Sequence, residues 1–207
     1  MNSRDWPYLV EPMRPGDIPA IMVIEKMVYS RPWPAEAYRY ELAENPKSHY
    51  YVVRLKDYHP KREFGLRGAI KRAFGGPEAD ESVLGYGGLW LMVDEAHIST
   101  MAVHIDWQGR GLGALLLTTL IEKAVELQAA FVTLEVRVSN LRAQALYERY
   151  GFRKVGVRRK YYSDNNEDAF IMSTEAIDSL AYRARLEDLR LALDLKLRSG
   201  RGHEDEP

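Results

Sequence analysis

Helical and strand-like spacings of apolar residues alternate along most of the chain. Apolar side chains recur at helical intervals after Asp17, whereas 83–93 and 96–104 have the pattern of two strands facing each other across a short turn, as in a hairpin. The predicted elements, in chain order, are a strand at 8–13, a helix from 17, a helix at 35–44, strands at 49–55, 83–93 and 96–104, a helix from 112, a strand at 131–136, a helix at 140–150 and strands at 152–162 and 168–174. This order predicts a domain of the α/β or α+β class.

Two segments depart from this pattern. Residues 56–82 contain glycines, a proline, a basic first half and an acidic end, and we interpret them as an inserted loop with a solvated surface. The leucines of 176–198 fit helical spacing but also alternate as in a half-buried strand, and the length and the alanine, arginine and glutamate content favour a helix. We therefore expect one domain over 1–175, a helical extension over 176–198 and a disordered tail over 199–207.

The composition limits the classes of function. With 46% hydrophobic residues among 207, the chain can bury the core of one domain. A formal net charge of −1 argues against direct nucleic-acid binding, and the absence of cysteine excludes disulfides, thiolate metal sites and cysteine nucleophiles. The first residues lack the layout of a signal peptide, and no apolar run reaches the roughly 18–20 residues of a membrane span. We expect a cytoplasmic protein without a membrane contact or a metal site.

The segment Gln108–Ala114 places glycines at the alternate positions 109, 111 and 113, where a leucine-rich helix begins. Each glycine lowers helix stability by roughly 0.5–1 kcal/mol relative to alanine, so three of them at a helix entrance need a reason. Glycines let a ligand approach the free N–H groups of the first helical turn, and a diphosphate is a suitable occupant. A turn needed only for packing is the simpler alternative.

A dinucleotide fingerprint is a second alternative for the same residues. Gly109, Gly111 and Ala114 satisfy G-x-G-x-x-A, and Glu135 follows at about the 20-residue interval of a ribose-binding acid. The context argues against it, because a hairpin precedes the motif and no repeated strand–helix unit follows.

The segments VTLEVRVSNLRAQALYERYGF (132–152) and RRKYYSDNNEDAFIM (158–172) resemble the GCN5-related N-acetyltransferase (GNAT) superfamily, and most closely its ribosomal-protein alanine N-acetyltransferases. The resemblance covers residues 8–174, including Gln108–Gly113 as the Q/R-x-x-G-x-G/A motif for acetyl-CoA. It implies a mixed, mostly antiparallel sheet of six to seven strands, splayed at its centre and flanked by about four helices, here followed by the C-terminal helix. It implies nothing about 56–82 or the residues after 175.

The resemblance also implies roles for individual residues. Glu135 would act as general base, directly or through water, and Tyr147 would donate a proton to the leaving thiolate. The residues implied to bind acetyl-CoA are Met101, Ala102, Val103, Gln108, Gly109, Arg110, Gly111, Leu112, Gly113, Ala114, Asn140, Ala143 and Tyr147. Those implied to bind the acceptor are Trp33, Tyr161 and Tyr162. From the residues alone, an ordinary core role is favoured for Tyr147, and aromatic residues such as Tyr161 and Tyr162 at a strand end are often plain packing residues.

Glu135 is the exceptional residue of an apolar strand. Strand alternation places Glu135 and Arg137 on one side, so the carboxylate either pairs with a basic neighbour such as Arg137 or Arg142 or faces a cleft. We expect His97 and His104 to be core or loop residues, since neither belongs to a set of metal ligands.

The leading hypothesis is an N-terminal acetyltransferase that uses acetyl-CoA and acts on a protein N-terminus, first of all the N-terminal alanine of a small-subunit ribosomal protein. The alternatives are an acetyltransferase for a small-molecule amine or a lysine side chain, and a non-catalytic acyl-CoA-binding module. Three roles stay open for the C-terminal helix: packing on its own domain, pairing two protomers in a homodimer, or binding a partner.

Overall fold

The computed structural model describes residues 6–58 and 79–199. Within these ranges the strands are β1 (Tyr8–Pro12), β2 (Ser48–Leu55), β3 (Val83–Met92), β4 (Glu95–Val103), β5 (Phe131–Arg137), β6 (Arg153–Tyr162) and β7 (Glu167–Ser173). The α-helices are α1 (Ile18–Val28), α2 (Ala35–Ala43), α3 (Leu112–Glu126), α4 (Leu141–Arg149) and α5 (Leu180–Ser199). Most of the predicted insertion and nearly all of the predicted tail lie outside the described residues.

The seven strands form one sheet in the order β1-β2-β3-β4-β5-β7-β6. Every neighbouring pair is antiparallel except β4 and β5, which are parallel because α3 forms the crossover between them. The β4–β5 pairing covers only Glu95–Ile98 and Phe131–Leu134, after which the two strands diverge. The predicted fold, a mostly antiparallel sheet splayed at its centre, is confirmed.

Helices cover both faces of the sheet. Successive residues of β2 enter different apolar clusters, Val52 with α1 and α2 and Val53 with α3 and α5, because neighbouring side chains of a strand point to opposite faces. In the described part of the chain, none of the helices has the length and apolar character needed to cross a membrane.

The C-terminal segment is a helix, although its leucines also alternate as in a strand. Leu193 and Leu197 are buried, whereas Leu191 and Leu195 are 58% and 69% exposed. A strand would have presented Leu191, Leu193 and Leu195 to one face, so the burial follows the helical period. The buried side packs against α3 and the N-terminal Trp6.

Asp17 is expected to cap the first helix, but the side chain of Asp17 makes no capping bond to α1. A single 3-10 turn, Pro15–Asp17, precedes α1, and the carboxylate accepts the Arg14 N–H at 2.8 Å and pairs with Arg54. The carboxylate therefore ties the helix entrance to β2.

We predict that Gly88→Ala destabilises the protein by about 1–3 kcal/mol, the usual cost of overpacking a core. A Cβ at Gly88 would lie 2.7 Å from Tyr50 Cγ, and the buried Tyr50 ring would have to leave its position and its 3.0 Å contact with Ser99. Gly16→Ala is the matched control, since a Cβ there meets no atom within 4 Å. Equal unfolding midpoints of the two variants in denaturant would contradict this packing.

Candidate active site

A cleft of about 640 Å³ opens where β4 and β5 diverge. Its walls come from the ends of these strands, the turn before α3, helix α4, the α1–α2 connection and the β6–β7 turn. Among the predicted site residues, those that line it are Trp33, Met101, Ala102, Val103, Gln108, Gly109, Gly111, Gly113, Ala114, Glu135, Asn140, Ala143, Tyr147, Tyr161 and Tyr162.

The turn before α3 exposes backbone amides to this cleft. Gly109 and Gly111 have φ angles of 88° and 93°, a conformation that favours glycine. Gly111 is the N-cap of α3 and has no side chain with which to cap it, so the first amides of the helix lack an intrahelical partner. Gly113 and Ala114 line the cleft on the same turn. This cradle fits the diphosphate of the acetyl-CoA that the resemblance implies.

The side chains of the glycine motif are used differently from the prediction. The guanidinium of Arg110 lies 4.4 Å from the centre of the Trp107 ring, outside the cleft, and the side chain of Leu112 is buried in the core. Neither side chain lines the cleft, and the predicted part of Arg110 and Leu112 in cofactor binding stays a prediction. Gln108 donates to the Val103 carbonyl at 3.2 Å and accepts from Arg142 at 2.9 Å. These bonds hold the turn before α3 to β4 on one side and to α4 on the other.

The far half of β4 pairs with β3 but not with β5, which leaves one edge of Met101–Val103 facing the cleft. This edge is occupied in part by protein, since the Tyr29 hydroxyl donates to the Met101 carbonyl at 3.0 Å and Gln108 to the Val103 carbonyl. An extended ligand arm could add to the edge as a further strand.

Helix α4 carries three of the predicted residues. The Asn140 side chain caps the helix by accepting the Ala143 N–H at 3.1 Å, so Asn140 has a structural role besides the predicted one. Ala143 lies one turn further on and is small. Tyr147 is 7% exposed, packs on Phe152, and makes no hydrogen bond from its hydroxyl to any described residue. Burial raises the pKa of Tyr147, so its hydroxyl keeps its proton at neutral pH.

Glu135 both faces the cleft and has basic partners, but these are His97 and Arg158 rather than Arg137 or Arg142. His97 Nε2 lies 3.1 Å from Glu135 Oε2, and Arg158 Nε lies 2.9 Å from Oε1. Hydrogen bonding from His97 lowers the pKa of Glu135 against the effect of burial, and Arg158 lowers it further. The carboxyl group is therefore ionised at neutral pH although it is largely buried.

His97 continues the polar contacts away from the cleft, which differs from the core or loop role expected for it. Its Nδ1 lies 2.9 Å from the Thr133 hydroxyl, and that hydroxyl donates to Glu95. The register that pairs His97 with Thr133 places Glu135 next along the same face of the sheet. His104 accepts the Asp106 N–H at 3.3 Å, within the loop as expected.

The predicted acceptor-binding aromatic residues lie on two sides of the cleft. Trp33 stacks on Trp90 with ring centroids 6.0 Å apart, and Trp90 stacks on His97 at 6.0 Å. Tyr161 and Tyr162 approach from the end of β6, where Tyr161 is 46% exposed and Tyr162 lies under Arg137.

A polar bridge joins the α1–α2 connection to the β6–β7 turn at the edge of the cleft. Ser30 donates to Asp164, and Arg31 donates to Ser163 at 2.9 Å. Arg137 supports the turn through Asp164 at 2.9 Å and Glu167 at 3.1 Å. Arg142, the other cation considered for Glu135, is held by Gln108.

Sequence reasoning did not single out several residues at this site, among them Tyr29, Trp90, His97, Arg158 and Lys196. The contacts of His97 and Arg158 with Glu135 join residues far apart in the chain, so no local spacing reveals them. Trp90 and His97 carry a usable signal, because each is an aromatic ring with a polar group in a largely apolar strand. Over residues 6–58 and 79–199, no cluster of His, Cys, Asp or Glu has the arrangement of a metal site.

Comparison with known proteins gives a consistent result. Residues 18–152 match the acetyltransferase (GNAT) family. A Bacillus subtilis (strain 168) relative, named provisionally as a [ribosomal protein bS18]-alanine N-acetyltransferase, is 35% identical over 79% of this chain and 92% of its own length. The [ribosomal protein bS18]-alanine N-acetyltransferase of Escherichia coli (strain K12) is 31% identical over 76% of this chain and 90% of its own. The crystal structure of the Escherichia coli enzyme superimposes with a TM-score of 0.64 at 27% identity, covering 81% of this chain and 92% of that one.

We predict that His97→Phe and Arg158→Gln both raise the pKa of Glu135, and that His97→Phe raises it more, because His97 is the larger cause of the lowered value. Titration of the Glu135 carboxyl by NMR measures both effects. A carboxyl whose pKa is lowered by folding stabilises the protein at neutral pH and loses that effect as pH falls through the folded value. The stability difference between wild type and Arg158→Gln should therefore close at acid pH.

Arg159→Gln is the matched control for Arg158→Gln. Arg159 is the next residue of β6, is exposed, and lacks an ion pair to Glu135. A titration of Glu135 that is identical in wild type, His97→Phe and Arg158→Gln would contradict the assigned contacts.

Proposed function

The chain belongs to the acetyltransferase (GNAT) family, and we propose that it transfers the acetyl group of acetyl-CoA to the N-terminal α-amine of a protein. The acceptor we propose first is the N-terminal alanine of ribosomal protein bS18, because relatives that share 31–35% identity over most of this chain carry that name. The proposal includes a cytoplasmic location and no direct contact with nucleic acid or membrane.

One observation carries the proposal. The amides of the glycine turn, the Glu135 carboxylate and the Tyr147 hydroxyl all face a single cleft between β4 and β5. Acyl transfer to an amine needs an anchored donor, a neutral amine and a proton for the leaving thiolate. The cleft supplies one group suited to each requirement.

We propose Glu135 as the general base for the amine, directly or through water. An α-amine has a pKa of about 7.7–8.0 and lysine about 10.4, so at pH 7.5 neutralising the first costs a few tenths of a kcal/mol and the second about 4 kcal/mol. The pKa of Glu135 is lowered by His97 and Arg158, which makes it a weak base. A weak base is sufficient for an α-amine, and this supports an N-terminal acceptor over a lysine side chain.

We propose Tyr147 as the acid for the leaving thiolate. Acetyl-CoA supplies the activated thioester when it is bound. Burial keeps the Tyr147 hydroxyl protonated, and this hydroxyl has no hydrogen-bond partner among the described residues, so it can donate its proton to a thiolate formed in the cleft. A tyrosine held only for packing would be expected to satisfy its hydroxyl on the protein.

The aromatic residues at the two sides of the cleft are the proposed contacts for the acceptor. The Trp33 ring is held in place by its stack on Trp90, and Tyr161 and Tyr162 line the same cleft from the end of β6. The hydrogen bond from Ser30 to Asp164 joins the two segments that carry these residues.

Turnover of acetyl-CoA with a panel of acceptors tests the function. The panel contains a bS18 N-terminal peptide, the same peptide with a blocked α-amine, an internal-lysine peptide and a polyamine. We expect the free N-terminal peptide alone to be acetylated, with mass spectrometry placing the group on the α-amine. Preferred acetylation of the polyamine or the lysine would contradict the acceptor class, and binding without any turnover would favour the non-catalytic alternative.

We predict that Glu135→Gln lowers kcat/KM by about 10²-fold and moves the pH profile to higher pH, since the amine must then lose its proton to solvent. Rates at several pH values with the preferred peptide measure the effect. Glu148→Gln is the control, because Glu148 lies on the outside of α4 at 3.6 Å from Lys154. Unchanged kinetics of Glu135→Gln would remove this residue from the mechanism.

We predict that Tyr147→Phe lowers kcat by about 10²-fold and leaves the affinity for coenzyme A nearly unchanged, because phenylalanine keeps the ring that lines the cleft and loses only the proton donor. Tyr150→Phe is a matched control on the same segment. The hydroxyl of Tyr150 is buried against Thr118 at 2.9 Å, so its removal should lower stability and leave kcat unchanged. Full kcat in Tyr147→Phe would exclude the acid role.

A further inference from the structure

The last turn of α5 lies directly against the glycine turn at the entrance of α3. A Cβ placed on Gly111 would lie 3.3 Å from Leu197, 3.5 Å from Leu193 and 3.6 Å from Lys196 Cδ. Leu193 and Leu197 are buried with Leu112 in one apolar cluster. The C-terminal helix, which the GNAT match at 18–152 does not include, therefore forms part of the wall beside the glycine turn.

The position of α5 is fixed by contacts on its other side. Trp6 Nε1 donates to Asp194 at 2.8 Å, and Trp6 itself is buried against Leu193 and Leu197. Asp194 also pairs with Arg198 at 2.8 Å. The position of the last turn of α5, and with it of the Lys196 backbone, is thus set by buried packing.

Lys196 combines an apolar stem on this wall with a charged end. Its stem lies beside Gly111, and the residue lines the same cleft as Gly109 and Gly113. Lysines commonly cover apolar surface with their methylenes and direct the ammonium group to the polar side. Here the polar side is the cleft at the first turn of α3.

The cations that lie beside the glycine turn come from other elements. Its own arginine, Arg110, stacks on Trp107 outside the cleft. Arg142 of α4 approaches from the side of Gly109, where a Cβ would lie 3.8 Å from its Nη2. Lys196 approaches from the side of Gly111, so the two cations flank the turn.

The helix dipoles favour a cation at this place. The C-terminal end of α5 carries a partial negative charge, and it lies beside the partial positive charge at the N-terminus of α3. An anion bound at the α3 amides would be repelled by the carbonyl end of α5. Lys196 in the last turn of α5 offsets this repulsion.

We propose that Lys196 is a cofactor-binding residue whose ammonium group contacts the diphosphate of coenzyme A, so that the C-terminal helix completes the cofactor site. The inference rests on the proposed use of acetyl-CoA. A diphosphate diester is a dianion, and its contact with an ammonium group is charge-assisted.

The test measures binding rather than turnover. Dissociation constants of coenzyme A and of 3′-dephospho-coenzyme A are determined by calorimetry for the full-length wild type, Lys196→Met, Lys196→Arg and Arg183→Gln. Lys196→Met keeps an apolar stem against Gly111 and removes the charge. Arg183→Gln removes one charge from the same helix 13 residues earlier, about 20 Å along its axis.

We expect Lys196→Met to weaken the binding of both nucleotides about three- to tenfold, Lys196→Arg to bind nearly as wild type, and Arg183→Gln to bind as wild type. The difference between wild type and Lys196→Met should shrink with added salt, since an exposed ion pair is screened. The melting temperature of each variant without nucleotide is measured as well, so that a loss of affinity is separated from a loss of stability.

Three results would overturn the inference. Equal affinities of wild type and Lys196→Met remove the contact, and equal losses in Lys196→Met and Arg183→Gln reduce it to a general effect of net charge. A loss that occurs with coenzyme A but not with its 3′-dephospho form assigns the contact to the 3′-phosphate instead of the diphosphate. Failure of the wild type to bind coenzyme A contradicts the proposed function itself, so the two failures are distinguishable.

Discussion

The limited pairing of β4 with β5 is the constraint on which the rest of the structure depends. The two strands are parallel and joined by α3, so the chain must turn into α3 at the end of β4 where the strands diverge. The glycine turn and its free amides therefore lie at the open end of the gap. An antiparallel pair could have been joined by a tight turn and would have closed this edge.

The same divergence determines the environment of Glu135. The β4–β5 ladder ends at Leu134, and Glu135 is the next residue of β5, with β7 on one side and the gap on the other. His97, in the paired part of β4, contacts one oxygen of its carboxylate, and Arg158 of β6 contacts the other. Burial by itself would raise the pKa of this carboxyl, and the contacts with His97 and Arg158 lower it instead.

The C-terminal helix lies outside the segment that matches the family, 18–152, and packs on the start of α3 within it. Leu193 and Leu197 bury the start of α3, and Trp6 holds the helix from the N-terminal side through Asp194. The two ends of the described chain thus meet behind the glycine turn. Side chains from outside the matched segment 18–152 therefore pack beside this turn.

The sequence by itself determined the elements, the class of fold and the glycine turn, because periodicity, glycine and helix caps act over a few residues of local chain. It also marked Glu135 as a polar residue in an apolar strand. Only the tertiary structure decided that the partners of Glu135 are His97 and Arg158 rather than Arg137 or Arg142, that Arg110 leaves the cleft for Trp107, and that Lys196 enters it. These outcomes depend on strand register and helix packing, which bring together residues far apart in the chain and leave no regular spacing in the sequence.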